Sequence, residues 1–264
     1  MPSVAVAKMH GTRNDFVVVD ERTPHIADLS AFARSVCDRR AGIGADGVLA
    51  IMPSRIADAR MRIVNADGGE AEMCGNGMRC VARYLNESGL AERLRVETLA
   101  GIIETQIVSK GEVYEVRLNM GVPLPQRRSL PFPDAEFVSM GNPHVVLFAE
   151  SLQAVDLSEA ARALESDPFF SAGTNVHLAV RVNARRLDVR HWERGVGETF
   201  ACGTGAVACA AAAIARGTVN SPVDVHVPGG RLRVEWDGVG SSYLTGPAVR
   251  VFDTKVELAD AVAA

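Results

Sequence analysis

Apolar positions in this chain fall mainly in short β-branched runs rather than in long helical stripes. The runs are Phe16 to Val19, Val48 to Ile51 and Met61 to Val64, then Val145 to Phe148, Val176 to Val180 and Leu187 to Trp192. Bounded by Gly, Asn and Asp, they read as strands. Tyr114 to Leu118 and Arg231 to Val234 alternate polar and apolar residues, the signature of a half-buried strand. Helices are predicted after Ser30 and after Ser158, each serine acting as N-cap. A further helix follows Cys74 and another Cys202, ended by Gly89 and Gly217 as left-handed caps. The second of these, Gly203 to Ala215, is apolar all round, so it must be buried on every side. The elements predict an α+β fold: a mostly antiparallel sheet or barrel curled around a central helix, made twice.

The order of elements repeats because the sequence repeats. Glu70-Ala71-Glu72-Met73-Cys74-Gly75-Asn76-Gly77 and Glu198-Thr199-Phe200-Ala201-Cys202-Gly203-Thr204-Gly205 share the frame E-x-x-x-C-G-x-G, at an offset of 128 positions. The same offset carries Asn14 to Asn142, Val17-Val18 to Val145-Val146, Asp28-Leu29-Ser30 to Asp156-Leu157-Ser158, Arg62 to Arg190 and Gly101 to Gly229. The chain is a duplicated domain. We place the halves at 1–120 and 121–264, with the last residues able to pack back on the first half. The linker is Gly121 to Pro133, which holds four of the twelve prolines.

Composition narrows the function classes. Net charge is −4 and there is no basic run, which argues against nucleic acid or an anionic membrane surface as partner. Nothing approaches a membrane span. Met1 to Ala5 lacks a basic region leading into an apolar core, and the five cysteines show no disulfide framework. The expectation is a reducing cytoplasm and thiols.

Cys74 and Cys202 each precede Gly-x-Gly at a helix start. Unpaired first-turn N–H groups and the helix dipole there favour a thiolate and can hold a substrate carboxylate. A pseudo-twofold axis would turn two such thiols towards one site, and two opposed acid/base groups are what inversion of a carbon centre requires. Cys37, Cys80 and Cys209 lack this context and read as core. Glu193-Arg194 stands where the first half has Asn65-Ala66, an asymmetry suited to a substrate with unlike ends. The amides of Asn14, Asn142 and Asn175 can accept from an ammonium and donate to a carboxylate. His144 reads as a structural histidine. Gly42 to Gly47 fits G-x-G-x-x-G but leads into a strand-like run, which rules out a dinucleotide fingerprint. No Cys/His spacing fits zinc.

These residues bring a family into view. The chain resembles diaminopimelate epimerases over nearly its whole length, in Lys8-Met9-His10-Gly11-x-x-Asn14-Asp15-Phe16, in Asn65-Ala66-Asp67-Gly68, and in Met73 to Cys80. The likeness continues in Gly141-Asn142-Pro143-His144, Thr174-Asn175-Val176, and Glu193 to Ala206. The resemblance implies a cofactor-independent and metal-free isomerase, a cytoplasmic homodimer, acting on LL-2,6-diaminopimelate in lysine and peptidoglycan precursor synthesis. One cysteine would take the α-proton and the other would return one from the opposite face. By similarity Gly75, Asn76, Gly203 and Thr204 hold the reacting carboxylate and Asn14 the reacting ammonium. Asn65, Asn175, Glu193 and Arg194 hold the distal end, with Asn142 nearby. Relatives often have glycine at the position of Arg13, and some have glutamine at that of Gly47. The competing readings are a related racemase for proline, hydroxyproline or histidine, a thiol redox protein, and a non-catalytic binding module.

Overall fold

A computed structural model of the chain describes residues 3–258 apart from Pro24 and Arg127. The last residues, for which packing on the first half was considered, thus lie partly outside the described set. The chain divides into two compact units. One runs up to Leu118 and resumes at Pro247; the other is Asn119–Gly246.

The first unit opens with β1 (Ser3–Gly11), β2 (Asn14–Asp20), α1 (Leu29–Val36), β3 (Gly47–Met52), β4 (Ala59–Asn65) and β5 (Glu70–Ala71). It continues with α2 (Gly75–Glu87), β6 (Arg93–Thr98), β7 (Gly101–Lys110) and β8 (Tyr114–Gly121). The second holds β9 (Leu124–Gln126), β10 (Ala135–Ser139), β11 (Pro143–Phe148), α3 (Leu157–Glu165), β12 (Asn175–Asn183) and β13 (Arg186–Glu193). It is completed by β14 (Gly197–Thr199), α4 (Gly203–Ala215), β15 (Val223–Val227), β16 (Gly230–Glu235) and β17 (Ser242–Pro247). β18 (Val249–Glu257) then returns to the first unit and pairs antiparallel with β1.

Duplication is visible in the pairing register itself. β2 runs parallel to β3 with Phe16 opposite Gly47, and β11 runs parallel to β12 with His144 opposite Asn175. β3 and β4 pair Val48 with Val64, and β12 and β13 pair Val176 with Trp192. Even the ion pair beside each cysteine turn recurs: Arg62 to Glu70 at 2.8 Å, and Arg190 to Glu198 at 2.7 Å.

In each unit the central strands, β2 and β3 or β11 and β12, bury both faces. On one, Leu29, Phe32, Ala33 and Val36 of α1 meet Val17, Val19, Val48 and Val64. In the other unit Leu157, Ala160, Ala161 and Leu164 of α3 meet Val145, Leu147, Val176 and Leu178. On the opposite face lies the central helix, α2 against β1 to β4 and β7, and α4 against β9 to β13, β15 and β16. The alanine run of α4 lets strands approach closely on every side, and Ala206 to Ala213 are all buried.

Three details differ from the sequence reading. Helices α1 and α3 are capped two residues earlier, by Asp28 and Asp156, whose carboxylates accept from Ala31 N, and from Ser158 N and Glu159 N. A carboxylate at the positive helix end outdoes the serine hydroxyl. The proline-rich linker contains a strand, β9, on the edge of β10, where prolines are tolerated. Finally, β1 and β18 carry weaker patterns than the β-branched runs and were not anticipated.

Candidate active site

In the first unit the site is built at the start of α2. Cys74 is the N-cap residue, its extended backbone turning into the helix and its sulfur accepting from Gly77 N at 3.5 Å. The same sulfur lies 3.5 Å from Asn14 Oδ1, to which the thiol donates. Asn14 is held from both ends of its amide. Its Nδ2 donates to Asp46 Oδ2 at 2.7 Å, and its Oδ1 also accepts from Asn76 Nδ2 at 3.2 Å. Asp46 is fixed in turn by Arg39 at 2.8 Å. A carboxylate can only accept, so the Asn14 oxygen must face Cys74.

Behind these residues lies Arg79, a fully buried cation with no carboxylate partner among the described residues. Its guanidinium donates to Asn76 Oδ1 at 2.9 Å, Thr12 Oγ1 at 3.2 Å, Pro247 O at 3.0 Å and Gly75 O at 3.3 Å. Burial pushes its pKa down to about 10, while charge on Cys80 and Cys74 pulls it back up. The guanidinium and a thiolate at Cys74 therefore stabilise one another. Thr12 and Arg13 form the two-residue turn between β1 and β2, with φ of 51° and 66°. Both positions of such a turn favour Asn or Gly. Thr12 is held there by its hydroxyl, which bonds Arg79 and Asn76. Asn65 ends β4, exposed. Gly47 faces the backbone, since a Cβ there would stand 2.8 Å from Val64 O.

In the second unit Cys202 caps α4 and is 5% exposed. Its sulfur lies 3.5 Å from Thr204 Oγ1. Burial pushes the thiol well up, the negative Glu193 adds to this, and hydrogen bonds from Thr204 and Gly205 oppose it. The helix-start environment predicts a lowered thiol pKa; for Cys202 burial and a carboxylate outweigh it. Glu193 ends β13 and accepts from Thr199 Oγ1 at 2.6 Å. Asn175 opens β12 with its amide engaged in bracing: Oδ1 accepts from Arg194 N at 3.1 Å and Nδ2 donates to Pro143 O at 3.0 Å. The Arg194 side chain packs on Gly173 and donates to Ala172 O at 3.1 Å. Asn142 precedes β11, and its Oδ1 lies 2.9 Å from His144 Nε2.

Cys74, Asn14, Gly75 and Asn76 thus meet in one unit, and Cys202, Gly203, Thr204 and Glu193 in the other. Cys37, Cys80 and Cys209 are buried, as expected of core cysteines, and burial raises all three, Cys37 to about 11 and Cys80 to about 12. Sequence reasoning missed Thr12, Asp46 and Arg79. The repeat offset carried a signal for the last, because Arg79 aligns with Val207 and a charge where the other copy is apolar marks a special environment.

The diaminopimelate epimerase family model matches residues 6–124 and 136–251. The chain is 46% identical to the diaminopimelate epimerase of Moorella thermoacetica, covering 93% of this chain and 96% of that one. It is 44% identical to that of Desulforudis audaxviator, covering 94% and 97%. The chain belongs to the diaminopimelate epimerase family. As a member of it, the protein is an isomerase. Its fold extends to more distant diaminopimelate epimerase-like structures. A Bacillus anthracis phenazine biosynthesis protein of the PhzF family superposes with a TM-score of 0.74 at 17% identity, covering 98% of this chain and 100% of that one. A hydroxyproline epimerase from Agrobacterium vitis gives 0.70 at 16%, covering 97% and 91%.

Proposed function

We propose that this enzyme converts LL-2,6-diaminopimelate to meso-diaminopimelate without a cofactor, by proton transfer between the α-carbon and two cysteines, in lysine and peptidoglycan precursor synthesis. The observation that carries the reading is family membership joined to a duplicated Cys-Gly-x-Gly helix start. In each direction one thiolate takes the α-proton, breaking C–H and forming S–H. The opposite thiol then gives its proton to the other face and is left as the thiolate. Electrostatics favours a division of labour: Cys74 stands near the Arg79 cation and Cys202 beside the Glu193 carboxylate. Cys74 is thus suited to be the first base and Cys202 the first acid. The carbanion that forms is stabilised where its carboxylate meets first-turn N–H groups, those of Gly75 and Asn76 and those of Gly203 and Thr204.

Asn14 turns an oxygen towards Cys74, which suits the ammonium on the reacting carbon. Glu193 and Arg194, with Asn65 and Asn175, are assigned to the distal amino-acid end, and Asn142 to the pocket nearby. We further read the protein as a cytoplasmic homodimer. Among the described residues no helix is long and apolar enough to cross a membrane.

Incubating the protein with LL-diaminopimelate in deuterium oxide, with no cofactor added, tests the chemistry. Meso product carrying deuterium at the inverted carbon is expected. No exchange, or faster turnover of proline or hydroxyproline in parallel assays, would overturn the substrate assignment. Sedimentation at twice 28.1 kDa is expected for the dimer.

A further inference from the structure

The second unit contains a feature absent from its copy. His144, His177 and His191 are fully buried and linked in series. His144 Nδ1 lies 2.8 Å from His177 Nε2, and His177 Nδ1 lies 2.9 Å from His191 Nδ1. The outer end of the series is His144 Nε2, 2.9 Å from Asn142 Oδ1. The inner end, His191 Nε2, is buried with no partner among the described residues. At the repeat offset the same three places in the first unit are Phe16, Leu49 and Ile63, all buried and all apolar. The fold therefore does not require histidine there. Gly205 of the second cysteine turn lies directly on the chain, since a Cβ there would stand 2.5 Å from His177 Cε1.

Burial holds all three imidazoles far below their usual range, so each is neutral and carries one ring proton. Each ring must then donate once and accept once, and only two arrangements are possible. If Asn142 Oδ1 accepts, His144 and His177 carry their protons on Nε2, His191 carries its own on Nδ1, and the inner end is a bare lone pair. If the amide is reversed, every proton shifts and the inner end becomes a buried N–H without an acceptor. Orphaned buried N–H groups are the rarer case. The first arrangement wins.

Asn14, at the position equivalent to Asn142, has its amide set the other way by Asp46. The place of Asp46 is taken in the second unit by Thr174, which bonds Pro143 O and offers no carboxylate. The amide of Asn142 thus needs another device to orient it. We infer that His177 and His191 are positioning residues: the three-imidazole chain turns the oxygen of Asn142 towards His144 and leaves its NH2 to donate to an anionic or carbonyl group of the substrate. The two equivalent asparagines then offer opposite chemistry, an acceptor at Asn14 and a donor at Asn142. The ligand named here, a carboxylate, rests on the epimerase reading; the proton arrangement does not.

The test combines tautomer detection with turnover. Long-range proton–nitrogen correlation spectra of histidine-labelled protein should show His144 and His177 as Nε2–H and His191 as Nδ1–H. The double variant His177→Leu, His191→Ile, built from the residues the first unit uses, should melt no lower than the parent. It should lose about tenfold in kcat/KM, the scale of one substrate hydrogen bond, and His144 should no longer hold a single tautomer. The single variant His191→Asn, which keeps His177 and places an N–H where Nδ1–H stood, should retain both parental activity and the His144 tautomer. His144 found as Nδ1–H in the parent, or a double variant within twofold of parental activity, would overturn the inference. A parent inactive on LL-diaminopimelate would sink the substrate reading alone, because the tautomers are measured without turnover.

Discussion

Replacing Arg79 by methionine tests the electrostatic account of the first unit. The change removes donors from four oxygens: Asn76 Oδ1, Thr12 Oγ1, Pro247 O and Gly75 O. The Thr12 hydroxyl still donates to Asn76 Oδ1, but at 3.3 Å that bond is too long to replace the one at 2.9 Å, so the loss falls mainly on the Asn76 and Pro247 oxygens. Leaving a buried acceptor unpaired costs about 1–3 kcal/mol. Removing a buried charge that has no carboxylate partner offsets part of this. A net loss of about 2–4 kcal/mol follows, which for a chain of this size lowers the melting midpoint by about 5–15 °C. Activity should fall further than stability implies, because Asn76 holds Asn14, whose oxygen faces Cys74, and the charge of Arg79 interacts with that of Cys74. A circular dichroism melt and steady-state kcat/KM measured well below the midpoint separate the two effects. Arg79→Lys keeps the charge but not the fork, and should retain part of the activity. An Arg79→Met protein that melts within 2 °C of the parent and turns over within about twofold would refute the reasoning.

Other outcomes follow from the same geometry. Cys74→Ala and Cys202→Ala should each lower kcat by about 10²–10⁴-fold, the scale of one acid/base group, whereas Cys37→Ala should leave turnover near parental; a single variant keeping several per cent of activity would contradict a two-base mechanism. Arg13→Gly should raise stability by about 1 kcal/mol, since glycine adopts φ of 66° without side-chain strain; a lower midpoint would show that the Arg13 side chain contributes more than its backbone loses. The buried histidines should make the fold acid-sensitive. His144 and His191 are held down to about 3 against an ordinary 6.5, so the unfolded chain takes up protons that the native chain refuses. Their contribution is fully present above pH 6.5 and is lost as pH falls towards 3, at about 1.4 kcal/mol per pH unit for each histidine. Denaturant titrations between pH 6 and 4 should show a flatter slope for the His177→Leu, His191→Ile variant, and equal slopes would count against neutral burial.

Strands with dense β-branched cores, such as β3 and β12, were legible because both faces are covered and the run has no competing period. Both cysteine turns were legible because Gly-x-Gly after a thiol has few other uses, and duplication doubled the signal. β1 escaped because Lys8 and His10 interrupt its apolar pattern, and β18 because six of its nine residues are exposed. The serine caps were misplaced because aspartate two residues earlier satisfies the same N–H groups with a full charge. His144 looked solitary because its partners stand 33 and 47 positions away, and only the pairing of β11 with β12 and of β12 with β13 brings them together. Comparing the two copies position by position would have exposed both the histidines and Arg79. In a duplicated chain, polar residues that replace apolar ones at equivalent core positions point to what one copy does and the other does not.

The return of β18 sets an order for biosynthesis. Ribosomes deliver the N-terminal half first, yet β1 is left with one bare edge until residues 249–257 emerge. Leu258 and Val256, which complete the apolar cluster around Val4 and Val6, arrive after every other member of it. Asn119–Gly246 is contiguous and can close while the chain is still being made. The half translated first is therefore the half that finishes folding second, and a nascent chain stalled short of Val249 would present an unfinished sheet edge to whatever chaperone or protease meets it.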